Sequence, residues 1–284
     1  MAVLMKRSEI AENENLEIDL LLEAIWQKYG FDFREYGRAS IRRRLLKHMN
    51  ASGLENISKM QHELLYDRIF FNNLVTAITV NVTEMFRDPL CFKAIKTKVI
   101  PELKNLDHLR IWHAGCSTGE EVYSIAILLH ETGILDRCQI YATDTDDVAL
   151  EKAENAIYPA GSIQTYTKNY QKAGGEKSFS NYYTAKYGNA VLKKWLSRKV
   201  LFSLHNLAVD SVFSEVDMIM CRNVLIYFNR KLQNSVLKLF TNSLAPGGFL
   251  IIGSKESIHF SGVAEQYETI DSKEKIYRKK MSNG

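Results

Sequence analysis

From residue 109 onward the sequence alternates short apolar runs with stretches of helical periodicity, and this alternation is the strongest constraint on how the chain folds. The runs at 109–112, 139–143, 200–204, 216–220 and 249–252 have the length of strands. The stretches that end near 131, that span 146–156 and that span 229–244 have the length of helices. Strands alternating with helices in this way indicate an open α/β sheet, largely parallel. Ala245-Pro246-Gly247-Gly248 reads as a turn before the last of these strands. Residues 267–270 and 275–278 read as two further short strands around Asp271-Ser272-Lys273. The stretch 158–199 interrupts the alternation: it is polar, rich in tyrosine and contains Gly174-Gly175. A connection of that length is expected to be functional or to hold an inserted subdomain.

The residues before about 89 have a different character. Apolar positions 18, 21, 22, 25 and 26 form a helical stripe, and Ile41, Leu45 and Met49 share a face of the next helix. Arg38, Arg42, Arg43, Arg44 and Lys47 make the other sides of that helix basic. A further helix is predicted over 60–70, with 72–79 continuing the bundle. Apolar residues make up 46% of the chain and charged ones 25%, which suits a globular protein with a substantial core. No apolar run approaches the roughly 18–20 residues of a membrane span, so no membrane insertion is expected. The start places its charges after a very short apolar stretch, the reverse of a signal peptide, and a cytoplasmic location follows as an expectation. Cys91, Cys116, Cys138 and Cys221 are scattered without a C-x-x-C pair, so neither a disulfide framework nor a metal site is predicted. A net charge of +4 does not specify a nucleic-acid partner, and aromatic platforms with a long basic stripe are missing.

Two chemistries suit the turn after the first strand of the α/β region. Ala114-Gly115-Cys116-Ser117-Thr118-Gly119 lies between a strand and a helix, where small residues let the backbone approach a ligand and the helix directs its amides at it. A nucleoside also needs an acidic residue after the next strand, for the ribose hydroxyls, and Asp144 stands at that place. The alternative role for Asp144 is to cap the helix that follows. The same turn matches G-x-S-x-G, the nucleophile elbow of the α/β-hydrolases, with Ser117 as nucleophile and Asp217 and His259 downstream in triad order. Against that reading, the turn opens the sheet region, and a hydrolase gives no role to Glu120, Glu121 or Asp144.

Further segments favour the nucleoside. Asn81-Val82-Thr83-Glu84-Met85-Phe86-Arg87-Asp88-Pro89 precedes the sheet. His205-Asn206-Leu207, Cys221-Arg222-Asn223-Val224-Leu225-Ile226-Tyr227-Phe228 and Gly253-Ser254-Lys255-Glu256-Ser257 each follow a strand. In open α/β sheets ligands bind beyond the carboxyl ends of the strands. Together with the turn and Tyr141-Ala142-Thr143-Asp144, these segments resemble the chemotaxis receptor methyltransferase family (CheR), in matching order from about residue 74 to the end.

The resemblance implies an S-adenosylmethionine-dependent methyltransferase fold, Rossmann-like with a mostly parallel sheet. It carries an N-terminal helical domain and a small inserted β-subdomain. The expected division is 1–92 for the helical domain and linker and 93–284 for the methyltransferase domain, with the insertion at about 158–199. Asn81, Thr83 and Arg87 match positions that close over the cofactor, Ala114 and Gly115 positions that touch its methionyl part, and Glu121 a further cofactor position. Asp144 is expected to hold the ribose, Asn206 and Leu207 to flank the adenine, and Arg222 and Asn223 to complete the site. Arg87 and Tyr227 are the expected catalytic pair, orienting substrate and cofactor. Bland alternatives are a surface ion pair for Arg87 with Asp88 and a core position for Tyr227.

The reaction so implied turns glutamate side chains of chemoreceptor helices into γ-methyl esters, leaving S-adenosylhomocysteine. A carboxylate is already ionised at neutral pH, so the transfer needs neither a general base nor a metal, only in-line positioning. Arg42, Arg43, Arg44 and Lys47 are candidates for holding glutamate-rich receptor helices, a solvated helix face being the alternative. The insertion is a possible site for a receptor's C-terminal peptide, and a monomer is expected. Two other functions fit the same residues: a cofactor-binding module that signals by docking, and a methyltransferase acting on another substrate.

Overall fold

The computed structural model describes residues 7–79, 82–212 and 214–281. The chain divides into two compact units. One comprises the described residues up to Thr79 together with Tyr227–Leu232, and the other the remaining described residues.

In the first unit four helices, α1 (Arg7–Tyr29), α2 (Arg38–Ala51), α3 (Ile57–Tyr66) and α4 (Arg68–Ile78), enclose one apolar core. Ile18, Leu21, Leu22 and Ile25 of the expected stripe are buried, as are Ile41 and Leu45. Trp26 instead lies at the surface side of the stripe, with the Arg34 guanidinium 4.9 Å from its ring. The single helix predicted over 60–70 is broken at Asp67. Its carboxylate accepts from the backbone N–H groups of Ile69 (2.7 Å) and Phe70 (3.2 Å), capping α4 where α3 ends. A short acidic side chain that satisfies the first amides of a new helix competes with continuing the old one.

The second unit is built on a seven-stranded sheet of order β6-β2-β1-β7-β8-β10-β9. Its members are β1 (Leu109–Ala114), β2 (Cys138–Asp144), β6 (Val200–Leu204), β7 (Val216–Cys221), β8 (Leu244–Ile252), β9 (Tyr267–Asp271) and β10 (Ile276–Lys279). The first five in spatial order run parallel, and β10 and β9 add an antiparallel edge. A largely parallel sheet is therefore correct. Helices α7 (Glu120–Glu131), α8 (Asp147–Asn155) and α10 (Arg230–Ser243) fall in the connections between strands. Residues 245–248 depart from the turn expected of them: they belong to β8, which gains residues on β7 between the pairs Val216–Leu244 and Met218–Phe249. The glycines and proline thus make a bulge in a strand rather than its boundary. Residues 89–103, unassigned by the sequence, form α5 (Pro89–Ala94), a π-turn over Ile95–Val99 and α6 (Ile100–Leu103). Pro101 sits inside this helical run.

The insertion holds β3 (Ile157–Pro159), α9 (Ile163–Lys172), β4 (Tyr183–Lys186) and β5 (Asn189–Leu192). Its strands form a second, antiparallel sheet of order β3-β5-β4. Helix α9 is an addition to the expected β-structure, and it explains the tyrosines. Tyr170 of α9 and Tyr182 both donate to Glu131 Oε1 at the end of α7, the latter at 2.7 Å. Gly175 packs against the Tyr170 ring so closely that a Cβ there would fall 2.2 Å from its Cζ. Among the described residues no helix is long and apolar enough to cross a membrane.

Replacing Asp67 by Ala is expected to lower stability by about 1 kcal/mol through the lost cap. Urea unfolding checks this: the midpoint falls and the slope stays unchanged.

Candidate functional site

Strand order in the sheet reverses at β1. The chain moves from β1 to β2 and β6 on one side, then returns to β7 on the other. The parallel register puts Gly115, Asp144, His205, Arg222 and Gly253 at or just past the carboxyl ends of β1, β2, β6, β7 and β8. The sequence-predicted residues of the second unit therefore converge on one edge of the sheet, at its switch point.

The turn after β1 is held from β2. The backbone N–H groups of Gly115 and Cys116 donate to the Thr143 carbonyl (2.8 and 2.9 Å). Gly115 has φ +81°, and a Cβ there would fall 2.5 Å from Val224 Cγ2. Ser117, a non-glycine residue with φ +50°, donates its N–H to Asp144 Oδ2 (2.8 Å). The other Asp144 oxygen accepts from Asp146 N–H (3.1 Å). The helix cap of α8 is Asp146, which accepts from Val148 and Ala149. That leaves Asp144 as a buried carboxylate facing the turn. Burial raises its pKa, and the backbone donors only partly offset this.

The hydrolase reading fails on geometry. Asp217 lies near the amino end of β7, where it accepts from Arg110 N–H (2.8 Å) at the start of β1, the opposite end of that strand from Ser117. Burial pushes the thiols of Cys91 and Cys138 up to about 12, and those of Cys116 and Cys221 well above their ordinary value. None has the character of a nucleophile.

A chain of charges centred on the buried Arg222 ties the turn to the segment before the sheet. Glu121, at the start of α7, has Oε1 3.1 Å from His113 Nδ1, and its Oε2 accepts from Arg222 Nη1 (3.0 Å). Arg222 Nη2 donates to Asp88 Oδ2 (2.8 Å) and to the Arg87 carbonyl (3.1 Å). Burial alone would raise the Glu121 pKa, but the His113 hydrogen bond and the Arg222 charge outweigh it and hold it below the ordinary glutamate value. Burial likewise opposes the charge on Arg222, yet the surrounding acids keep it firmly protonated. Asp88 thus pairs with Arg222 and not with Arg87, whose guanidinium donates to the Val82 carbonyl (2.8 Å). Phe86 and Asp88 both have positive φ, and Phe86 N–H donates to Ser124 Oγ (2.8 Å), so the path of this segment is fixed from α7.

Two further segments complete the rim. His205 N–H donates to the Asp144 carbonyl (3.0 Å). Asn206 then turns the chain by accepting from Ala208 N–H (3.0 Å), and Leu207 is buried. After β7, Asn223 takes φ +62°. The carboxylate of Glu256 accepts from the backbone N–H groups of Asn223 (3.2 Å), Ile226 (3.2 Å) and Gly253. Glu256 and His113 are residues that the sequence reading did not assign. The only available signals were a Gly-Ser-Lys-Glu run after a strand and a histidine inside an apolar one.

Asn81 lies outside the described residues. Thr83 is described and partly buried, on the segment that Arg222 holds through Arg87 and Asp88. Tyr227 belongs to the first unit: its carbonyl accepts from Gly37 N–H (2.7 Å), and the Arg44 guanidinium lies 4.4 Å from its ring. Arg44 departs from the expected basic face. It is buried, donating to the Ile78 carbonyl. Arg42 is exposed but paired with Glu14. Arg43 and Lys47 are exposed and make no ion pair among the described residues.

With this geometry in place, comparison with known proteins is decisive. Residues 81–276 match the family described as "CheR methyltransferase, SAM binding domain", and residues 16–79 match "CheR methyltransferase, all-alpha domain". The chain is 47% identical over 267 residues to "Putative methyltransferase Cher3" of Pseudomonas putida, covering 94% of this chain and 98% of that protein. It is 32% identical over 251 residues to "Chemotaxis protein methyltransferase 1" of Pseudomonas aeruginosa, covering 84% of this chain and 88% of that one. The helical first unit, the switch-point site and both family matches agree: the chain belongs to the CheR methyltransferase family.

Proposed function

We propose that the protein methylates glutamate side chains of chemoreceptor cytoplasmic helices, using S-adenosylmethionine and forming γ-methyl esters. The observation that carries this reading is the pair of carboxylates, Asp144 buried and Glu121 partly buried, at the switch point of a chain in this family. An acceptor-rich site suits a ligand that brings hydroxyl and ammonium donors, as a nucleoside joined to an amino acid does. Relatives named chemotaxis protein methyltransferases support a role in chemotaxis, and chemoreceptors as substrates are the family-level extension of that.

In this reading Asp144 takes the ribose hydroxyls, while Ala114, Gly115 and Glu121 receive the methionyl end. Asn206 and Leu207 flank the base, and Asn81, Thr83, Arg87, Arg222 and Asn223 complete the enclosure. The bound cofactor supplies an activated methyl group. The acceptor glutamate is already anionic at neutral pH, so the protein's task is alignment and exclusion of water. Arg87 and Tyr227 are assigned the orienting roles on their motif positions. Of the basic residues on α2, Arg43 and Lys47 are the pair available to an acidic helix, spaced i, i+4 on one face.

Base-labile incorporation of labelled methyl into a receptor cytoplasmic fragment is the direct test, and S-adenosylhomocysteine affinity separates its outcomes. Arg87→Ala and Tyr227→Phe should each reduce incorporation by about tenfold or more, the range for a lost orienting contact. Full activity with unchanged affinity in both variants removes that assignment. Cofactor binding without receptor methylation points instead to a docking module or to another substrate. Reversing charge at Arg43 and Lys47 should weaken receptor methylation and flatten its salt dependence, leaving S-adenosylhomocysteine affinity intact.

Asp144 gives a pH signature. Its folded pKa is raised, so on acidification from neutrality it takes up a proton before an exposed aspartate does. For this group alone, falling pH favours the folded free protein. The neutral carboxyl is a poorer acceptor for ribose hydroxyls, so affinity should fall over the same interval. Calorimetric titrations of wild type and Asp144→Asn against pH check this: the variant should bind more weakly and lose that part of the pH dependence.

A further inference from the structure

His113 occupies a position where the fold asks for an apolar residue. It lies in β1, between β2 and β7, and its relative exposure is 0%. Its strand neighbours Ile111, Trp112 and Ala114 are buried too. A polar ring in such a place requires a partner, and Nδ1 has one in Glu121 Oε1 at 3.1 Å. An ionised carboxylate only accepts, so the contact requires the proton on Nδ1. Nε2 is buried and has no hydrogen-bond partner among the described residues.

Arg222 shows what this contact does. Its Nη1 holds Glu121 Oε2 at 3.0 Å, yet its Nε is buried without a hydrogen-bond partner among the described residues. A two-point grip on a carboxylate uses two parallel guanidinium N–H groups, Nη1 with Nη2 or Nη2 with Nε, and Nη2 is engaged by Asp88 and the Arg87 carbonyl. Arg222 therefore holds Glu121 through one oxygen only, and the imidazole is the partner of the other. We propose that His113 is a positioning residue that fixes the oxygen of Glu121 that Arg222 does not hold, and so keeps the carboxylate turned to receive the cofactor. The inference rests on the reading above that Glu121 binds the cofactor. The depressed pKa of Glu121, to which the His113 hydrogen bond contributes, agrees with it.

The test is S-adenosylhomocysteine titration by calorimetry on the full chain, with thermal unfolding to verify each variant. His113→Leu should weaken binding about tenfold, the size expected for a lost hydrogen bond to a charged group. His113→Asn places an amide N–H where Nδ1–H stood and should restore affinity to within about threefold of wild type. Packing alone would make both variants equally weak, and that result overturns the proposal. Glu121→Gln separates the two levels of inference. If it binds as tightly as wild type, Glu121 is no cofactor ligand and the positioning role falls with it. If it binds weakly and His113→Leu binds normally, only the role of His113 is lost. Nitrogen-15 imidazole spectra of the wild type give a readout independent of any variant's folding: the Nδ1–H form is expected, and an Nε2–H form contradicts the proposal.

Discussion

The guanidinium of Arg222 is the tie on which the arrangement of the site depends. It draws together the start of α7 through Glu121 and the segment before the sheet through Asp88 and the Arg87 carbonyl. With 2% of its side chain exposed, it has lost nearly all its hydration, and only partners on both sides make that tolerable. Removing one carboxylate leaves a buried charge half-paired, a change of about 3–5 kcal/mol in comparable cases. Arg222 therefore shapes the site before any ligand is considered.

Much of the scaffold can be read from the chain because the signals are local and repetitive. The five parallel strands are short apolar runs, and helices follow β1, β2 and β7. Asp144 falls at the end of β2 because strand length and turn position are both local properties. Where the reading slipped, a side chain or a neighbouring strand changed the outcome. Asp67 caps a new helix inside what reads as one, and residues 245–248 are carried along in β8 by pairing with β7. Residues 89–103 carry no regular helical period to read, because the run from Pro89 to Leu103 contains a π-turn.

The site was legible in its positions but not in its internal wiring. Nothing in a single sequence says that Asp88 will pair with Arg222 rather than with its neighbour Arg87, since the partner lies 134 residues away. Arg44 reads as one of several basic residues on a helix, and only the packed unit shows it turned inward against Tyr227. Glu256 is silent for the same reason: its three backbone donors are brought to it by two separate loops. His113 carries a faint signal, a polar residue in an apolar strand, whose meaning appears only when Glu121 is seen beside it.

The insertion is bound to the rest of its unit from within. Tyr158 donates to the Thr118 carbonyl (2.8 Å) in the turn, Tyr166 to Glu120 (3.3 Å), and Asn169 to the Met85 carbonyl (3.1 Å) before the sheet. Tyr170 and Tyr182 grip Glu131 at the far end of α7. Its inner face thus supports the turn and α7, while β4 and the exposed Tyr187 carry few such contacts. A substitution on the outer strand leaves these contacts intact, whereas a change in the inner tyrosines alters the support of the turn. The insertion and the turn are one structural piece, although some forty residues separate them along the chain.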